Sequence, residues 1–210
     1  MRPRSQATAP VATATSATTA SPASESIAID GDPNGLFWDT PHRRLIIADD
    51  AHNRLLSWQG HDVAVLAELP IDAGKAGLGQ PALDDSGAIF VPRFGHGISG
   101  AILRVDAQGH ASAIAGVDPT RRRIGLFSWQ GRLFETYFVR SPERHDGAVA
   151  EVATNGTETD LTTFGKPVGV LAVGNDLFVS DQEGNAVFRC EPRAPAGCAR
   201  FADVEQPDLL

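Results

Sequence analysis

The chain has 210 residues, 42% of them hydrophobic, and 26 acidic against 18 basic side chains give a net charge of −8. That length supports one domain with a buried core, while the acid excess argues against nucleic acid, whose phosphates require Lys and Arg, and no apolar run is long enough to span a membrane. Twenty-one glycines and 14 prolines predict many turns and few long helices, and two cysteines are too few for a disulfide scaffold.

Residues 1–26 are almost entirely Ala, Thr, Ser and Pro, with Val11 the one branched apolar side chain. Such a segment cannot bury enough surface to offset its ordering entropy, so a disordered leader is expected. Arg2 and Arg4 match the basic start of a signal peptide, but the apolar stretch that must follow is missing. A flexible leader and the remnant of an export or transit signal both stay open. Secretion or a periplasmic location stays open with them. The first strand signal is Ile27-Ala28-Ile29.

From there the chain repeats. Leu45-Ile46-Ile47-Ala48-Asp49, Ile89-Phe90-Val91-Pro92-Arg93, Leu133-Phe134-Glu135-Thr136-Tyr137 and Leu177-Phe178-Val179-Ser180-Asp181 begin 44 residues apart each time, and each follows a turn. Preceding strands are marked by Leu36, Leu83, Leu126, Val170 and Leu210. Third strands follow at Arg54 to Trp58, Ala101 to Val105, Ala148 to Val152 and Ala186 to Cys190. Fourth strands follow at Val63 to Leu69, Ala111 to Ala115, Glu158 to Phe164 and Ala199 to Val204. Four short strands per unit of about 40–50 residues is the period of β-propeller blades. A helical repeat is excluded because apolar residues cluster in short runs between Gly, Pro, Asn and Asp turns. The predicted fold is therefore an all-β propeller. Its blades cover about 31–70, 77–116, 121–164 and 165–204, and a partial fifth starts at 205–210. Ending in mid-repeat predicts a fragment, an unusual closure, or a partner or self-association at open blade edges.

Propeller topology gathers particular residues on one face. Asn34, Pro81, Ile124, Val168 and Asp208 start the inner strands around the channel. The second-to-third loops join them at Asp49 to Asn53, Arg93 to Gly100, Tyr137 to Gly147 and Asp181 to Asn185. His52, His96 and His145 fall there. Asp49, Asp50, Asp181 and Glu183 give an acidic rim, and Arg93, Arg140 and Arg144 lie between. Carboxylate and amide oxygens are what hard cations take, and a neutral imidazole serves as base or ligand. Against this, Asp at a strand end commonly caps a turn, and the matching positions of Asp49 and Asp181 fit a repeated structural role. Asn34, at the channel mouth, carries the strongest functional case. Arg121-Arg122-Arg123 reads as blade-to-blade salt bridging or a solvated turn, since no aromatics interleave it. Cys190 and Cys198 flank one hairpin loop, where a cross-strand disulfide and two free thiols are both compatible with the spacing.

Pro33-Asn34-Gly35-Leu36 followed by Arg44-Leu45-Ile46-Ile47-Ala48-Asp49, and Gly165-Lys166-Pro167-Val168-Gly169-Val170 followed by Asp176-Leu177-Phe178-Val179-Ser180-Asp181, resemble the senescence-marker-protein/gluconolactonase/luciferin-regenerating-enzyme family. NHL-repeat and strictosidine-synthase-like propellers share this blade grammar. The resemblance covers about residues 31–210 and implies a six-bladed propeller, of which this chain is an incomplete part. It also implies one divalent cation (calcium, magnesium, manganese or zinc) held at the channel mouth by Glu, Asn and Asp. Asn34 matches the family's Asn-Gly-Leu motif. Gln80-Pro81-Ala82 stands where its Pro-Asp-Gly motif falls, and Pro207-Asp208-Leu209 partly resembles that motif instead.

Two functions follow as expectations. The first is a metal-assisted lactone or ester hydrolase with Asn34 and Asp208 as ligands, Asp49 and Asp181 as weaker ones, Arg93 and Tyr137 orienting the substrate, and His96 moving protons. The second is a non-catalytic NHL-type propeller that binds a small molecule or a protein on the same face.

Overall fold

A computed structural model describes residues 26–70, 77–142, 145–191 and 197–210. Nearly all of the predicted leader, together with Arg144 and the His145 side chain, lies outside the described residues. Among the described residues sixteen strands form four antiparallel sheets, each ordered as in the sequence. Blade one holds β1 (Pro33–Asp39), β2 (Arg44–Asp49), β3 (Arg54–Gln59) and β4 (Asp62–Glu68). Blade two holds β5 (Ala82–Leu83), β6 (Ile89–Arg93), β7 (Ala101–Val105) and β8 (Ala111–Ala113). Blade three holds β9 (Arg122–Trp129), β10 (Arg132–Arg140), β11 (His145–Val152) and β12 (Glu158–Phe164). Blade four holds β13 (Pro167–Val173), β14 (Asp176–Asp181), β15 (Ala186–Cys190) and β16 (Cys198–Asp203). The four blades make a β-propeller, and no helix among the described residues is long and apolar enough to cross a membrane.

The 44-residue period becomes packing through strand alternation, which sends successive side chains to opposite faces of a sheet. Ile46, Ala48 and Leu55 of blade one meet Ile89, Val91, Leu103 and Val105 of blade two in one cluster. Ala82 and Ile102 of blade two meet Leu126 and Leu133 of blade three. Phe134 and Val149 of blade three meet Val170, Leu177 and Val179 of blade four. Blades two and three are thus apolar on both faces, and each interblade seam is a small core.

The inner strands approach more closely than side chains allow, and glycine provides the room. A Cβ on Gly35 would lie 2.3 Å from the Gly79 carbonyl oxygen, one on Gly79 would lie 2.0 Å from that of Ile124, and one on Gly125 would lie 2.8 Å from that of Val168. A hydroxyl stitches the last of these junctions. Thr136 Oγ1 accepts from the Gly125 N–H and donates to the Val168 carbonyl, both at 3.0 Å. Ser180 Oγ repeats this one blade later, accepting from Gly169 N–H at 2.9 Å and donating to the Asp208 carbonyl at 2.7 Å.

Three expectations change here. Gln206 to Leu210 form no strand, although the Asp208 carbonyl takes the place against blade four that Val168 takes against blade three. In blade two Gly79, not Pro81, occupies the inner-strand irregularity. Leu78 bridges Arg93 and Ala82 faces Phe90, so three residues oppose two. The segment from Tyr137 is not loop, because β10 runs on to Arg140 and pairs with β11 from His145.

Cys190 and Cys198 are register partners on β15 and β16 and form a disulfide. A bridge closing so short a loop removes about 2–3 kcal/mol of denatured-state entropy in the chain-entropy account. The Cys190→Ser/Cys198→Ser variant is expected to lose that amount in denaturant unfolding. Equal midpoints with and without the bridge would show that the hairpin is held by β15–β16 pairing alone.

Candidate functional site

At the start of β1 the pairing slips between Pro33 and Gly35, which leaves Asn34 as an unpaired bulge residue. Its Nδ2 donates to the Leu78 carbonyl at 2.8 Å. From the same blade, Asp50 Oδ1 accepts the Leu78 N–H at 2.9 Å. Blade one therefore grips the backbone of Leu78 on both sides and fixes the segment leading into blade two. His96 sits in a 3-10 turn, Gly95–Gly97, at a positive φ of 51°. Flanking glycines permit that turn, the Phe94 ring packs edge-on against the imidazole at 5.1 Å, and the His96 carbonyl accepts from Arg122 Nη2 at 3.0 Å. The imidazole faces solvent. Asp208 is also exposed, and its Oδ1 accepts the Leu209 N–H at 3.0 Å.

These residues share one cavity of about 410 Å³, lined among others by Asn34, Asp50, Phe94, His96, Arg123 and Asp208. Three candidates chosen from sequence, Asn34, His96 and Asp208, are thus brought together from separate parts of the chain.

The other four site candidates fall elsewhere, and they share one register position. Asp49 lies opposite Pro33, Arg93 opposite Leu78, Tyr137 opposite Arg123 and Asp181 opposite Pro167, always at the entry to an inner strand. All four are buried, and none lines the cavity. Asp49 accepts from the Asp32 N–H at 2.9 Å, from His52 Nδ1 at 2.9 Å and from Arg54 Nε at 2.8 Å. Burial pushes its carboxyl up, but the Asp32 N–H, His52 and Arg54 outweigh this and hold it below the usual carboxylate range. Asp181 accepts the Lys166 N–H at 2.6 Å in the same way. Arg93 donates to Asn53 Oδ1 at 3.1 Å and to the Pro70 carbonyl at 2.6 Å. Tyr137 donates to Asp160 Oδ2 at 2.8 Å beneath the Arg121 guanidinium, 3.7 Å from its ring centre. Asp49 and Asp181 thus tie their blades to the segment entering the inner strand, Arg93 ties blade two to blade one, and Tyr137 ties β10 to β12 within blade three.

Arg123, expected in blade-to-blade salt bridging or a solvated turn, is fully buried in the cavity wall. Its Nε donates to Glu135 at 2.7 Å, and its Nη2 donates to Glu158. Arg121 reaches the same Glu135 at 3.2 Å, so these two arginines pair within blade three. Only Arg122, on the opposite face, ties one blade to the next. Strand alternation carries that signal, since residues 121 and 123 share a face and 122 does not. Burial, against the pull of Arg123 and with the Glu158 carboxylate alongside, pushes Glu135 up to about 7.

As a cation site the cavity offers the Asn34 amide and the Asp50 and Asp208 carboxylates. Among the described residues, however, no three or more His, Cys, Asp or Glu side chains group closely enough to hold a metal. Of the Glu, Asn and Asp that the family resemblance implies, the described residues bring Asn and Asp side chains, but no Glu, to the cavity lining.

No protein-family model matches the sequence, and no curated protein matches it. Solved structures do match in fold. A gluconolactonase from Xanthomonas campestris aligns at 22% identity and a TM-score of 0.67, over 86% of this chain and 67% of that one. A nidogen/laminin complex aligns at 15% identity and 0.68, over 84% of this chain and 67% of that one. Regucalcin from Agrobacterium tumefaciens, a calcium-binding protein, aligns at 16% identity and 0.60, over 81% of this chain and 59% of that one. The chain has the β-propeller fold that these proteins share.

Proposed function

We propose that this gluconolactonase-like propeller binds a small lactone or ester in the channel-mouth cavity and hydrolyses it. One observation carries the reading: Asn34, His96 and Asp208 line a single cavity of about 410 Å³. That volume lies within the range of small-molecule pockets. Exposed and rimming the cavity, the His96 imidazole is the group placed to take a proton from an attacking water. Asn34 and Asp50 hold the Leu78 backbone and keep the cavity's shape. The oxygens of Asn34, Asp50 and Asp208 suit calcium, magnesium, manganese or zinc in kind, but among the described residues no Glu joins them in the cavity lining, and no step here runs through a metal.

A second reading, a non-catalytic NHL-type binding propeller, draws on the cavity lining, where the described residues supply no Glu. One set of measurements separates the two. Turnover of a panel of sugar lactones and aryl esters is expected, with and without added divalent cation, and His96→Gln is expected to lower it by about 100-fold or more. Ligand at about 100 times its Kd stabilises the fold by about 2.7 kcal/mol, and Asn34→Ala is expected to abolish that thermal shift. A shift without turnover selects the binding reading. Neither shift nor turnover removes both.

A further inference from the structure

Arg121, Arg122 and Arg123 are consecutive, and strand alternation sends the outer two toward Glu135 and Glu158 and the middle one to the other face. There Arg122 meets rings instead of acids. Its guanidinium carbon lies 5.6 Å from the centre of the Phe94 ring and 5.9 Å from that of Phe138. Lys166, at the entry to blade four, brings its Nζ within 5.5 Å of the same Phe138 ring. Phe94 and Phe138 meet edge to face at 5.8 Å. Blades two, three and four thus build one cluster of two rings and two cations. It borders the channel mouth, because Phe94 lines that cavity and packs against His96. The Arg122 guanidinium runs along the His96 turn, where a Cβ on Gly97 would lie 3.2 Å from its Nε.

Carboxylates are in surplus on this chain, 26 acidic side chains against 18 basic. Yet among the described residues none comes within ion-pairing distance of Arg122 or Lys166. Glu183, which packs against Gly165, is engaged elsewhere. Of its five N–H groups, Arg122 commits one, from Nη2 to the His96 carbonyl at 3.0 Å. Cation–π contact uses the ring faces and leaves the remaining N–H groups to donate. Both cations are half-buried beside apolar rings. They have lost part of their water without gaining a counter-ion, and an anion there recovers the most.

Resting on the reading of the cavity given above, we infer that its ligand is anionic: a lactone or ester bearing a carboxylate or phosphate, held by the Arg122 fork with Lys166 alongside. The charges also orient it. Asp50 and Asp208 line the cavity, while Arg122 and Lys166 lie beyond Phe94. The anion is repelled by the first pair and drawn to the second, which leaves the rest of the ligand against His96.

Matched pairs isolate the charge: para-acetoxybenzoate against para-acetoxybenzamide, and γ-butyrolactone γ-carboxylate against its carboxamide. A further ester, para-acetoxyphenyl phosphate, shows which oxyanion is preferred. The charged member of each pair is expected to be favoured about tenfold or more at low salt, in kcat/KM and in the Kd from thermal-shift titration. Added salt should shrink that preference. Arg122→Gln and Lys166→Gln should each erase it, and Lys166→Arg should keep it. Arg189→Gln removes the same charge from blade four away from the cavity, and should leave it unchanged. A variant that only shifts His96 or loosens the fold weakens both members of a pair together and leaves their ratio intact. A smaller preference, or one that survives both Gln variants, overturns the inference, and turnover of the neutral members then leaves the proposed function standing. Neither stabilisation nor turnover with any member overturns both.

Discussion

Replacing Arg123 by Met is expected to destabilise the protein by about 3–5 kcal/mol, the cost of removing one partner from a buried ion pair. Arg123 is fully buried between two carboxylates, Glu135 and Glu158, of which Glu135 is itself fully buried. Met fills similar volume and removes the charge, so both carboxylates lose their nearest cation and Arg121 must serve Glu135, Glu158 and Asp160 alone. At about 2–4 °C per kcal/mol for a chain of this size, the melting temperature should fall by about 6–20 °C. The loss should depend on pH in a defined direction. Burial, the pull of Arg123 and the neighbouring Glu158 together leave Glu135 at about 7, above its ordinary 4.5. Between those values the folded state binds more protons than the unfolded one, so stability falls as pH rises. Without Arg123 the shift grows. The variant's deficit should therefore be smaller near pH ~5 and larger near pH ~8, measured by thermal melts across that range. Asp39 and Asp49 work the other way. Burial raises them, but His42 and Arg44, and Asp32, His52 and Arg54, hold them low, so their contribution is lost as pH falls below the carboxylate range. A deficit that is flat with pH would mean that Glu135 stays ionised and the cost is packing alone.

How much of this was legible in the sequence depends on the range of the interaction concerned. The blades were legible because strand alternation and turn chemistry are local, and a 44-residue repeat states them four times over. The disulfide pairing was compatible with the sequence but not determined by it, since it depends on Cys190 and Cys198 falling in register. The site was legible in part. Asn34, His96 and Asp208 follow from topology, which places strand starts and second-to-third loops on one face. Asp49, Arg93, Tyr137 and Asp181 lie at that same end and still turn aside, because each meets a partner that only the register brings near: the Asp32 and Lys166 N–H groups, Asn53 and Asp160. Their even spacing was the clue, since a feature repeated in every blade serves the blade. Pro81 was misplaced for a related reason. One extra residue before β5 shifts the frame, and bulges leave no mark in hydrophobic pattern.

The second large effect is expected from a single methyl group, in Gly79→Ala. The added Cβ would lie 2.0 Å from the Ile124 carbonyl oxygen and 3.0 Å from Pro92 Cγ, and backbone cannot swing aside as a side chain does. Blade two must back away from blade three at the channel. That strains the hydrogen bond from Gln80 N–H to the Ile124 carbonyl, now 2.9 Å, and the grip of Asn34 and Asp50 on Leu78. Overpacking costs about 1–3 kcal/mol and a lost hydrogen bond about 1 kcal/mol more, so denaturant unfolding should register about 2–4 kcal/mol. Gly87→Ala supplies the contrast. Gly87 has a positive φ of 84° but nothing within 4 Å of an added Cβ, so it should lose only the left-handed backbone penalty of about 1–2 kcal/mol. The pair also separates stability from function. Gly79, Leu78 and Ile124 line the channel-mouth cavity and Gly87 does not. Ligand-induced stabilisation should vanish in Gly79→Ala and persist in Gly87→Ala, even if the two melt at similar temperatures. Equal ligand response in both would move the binding site away from the channel mouth, because the seam between blades two and three is the wall on which that cavity is built.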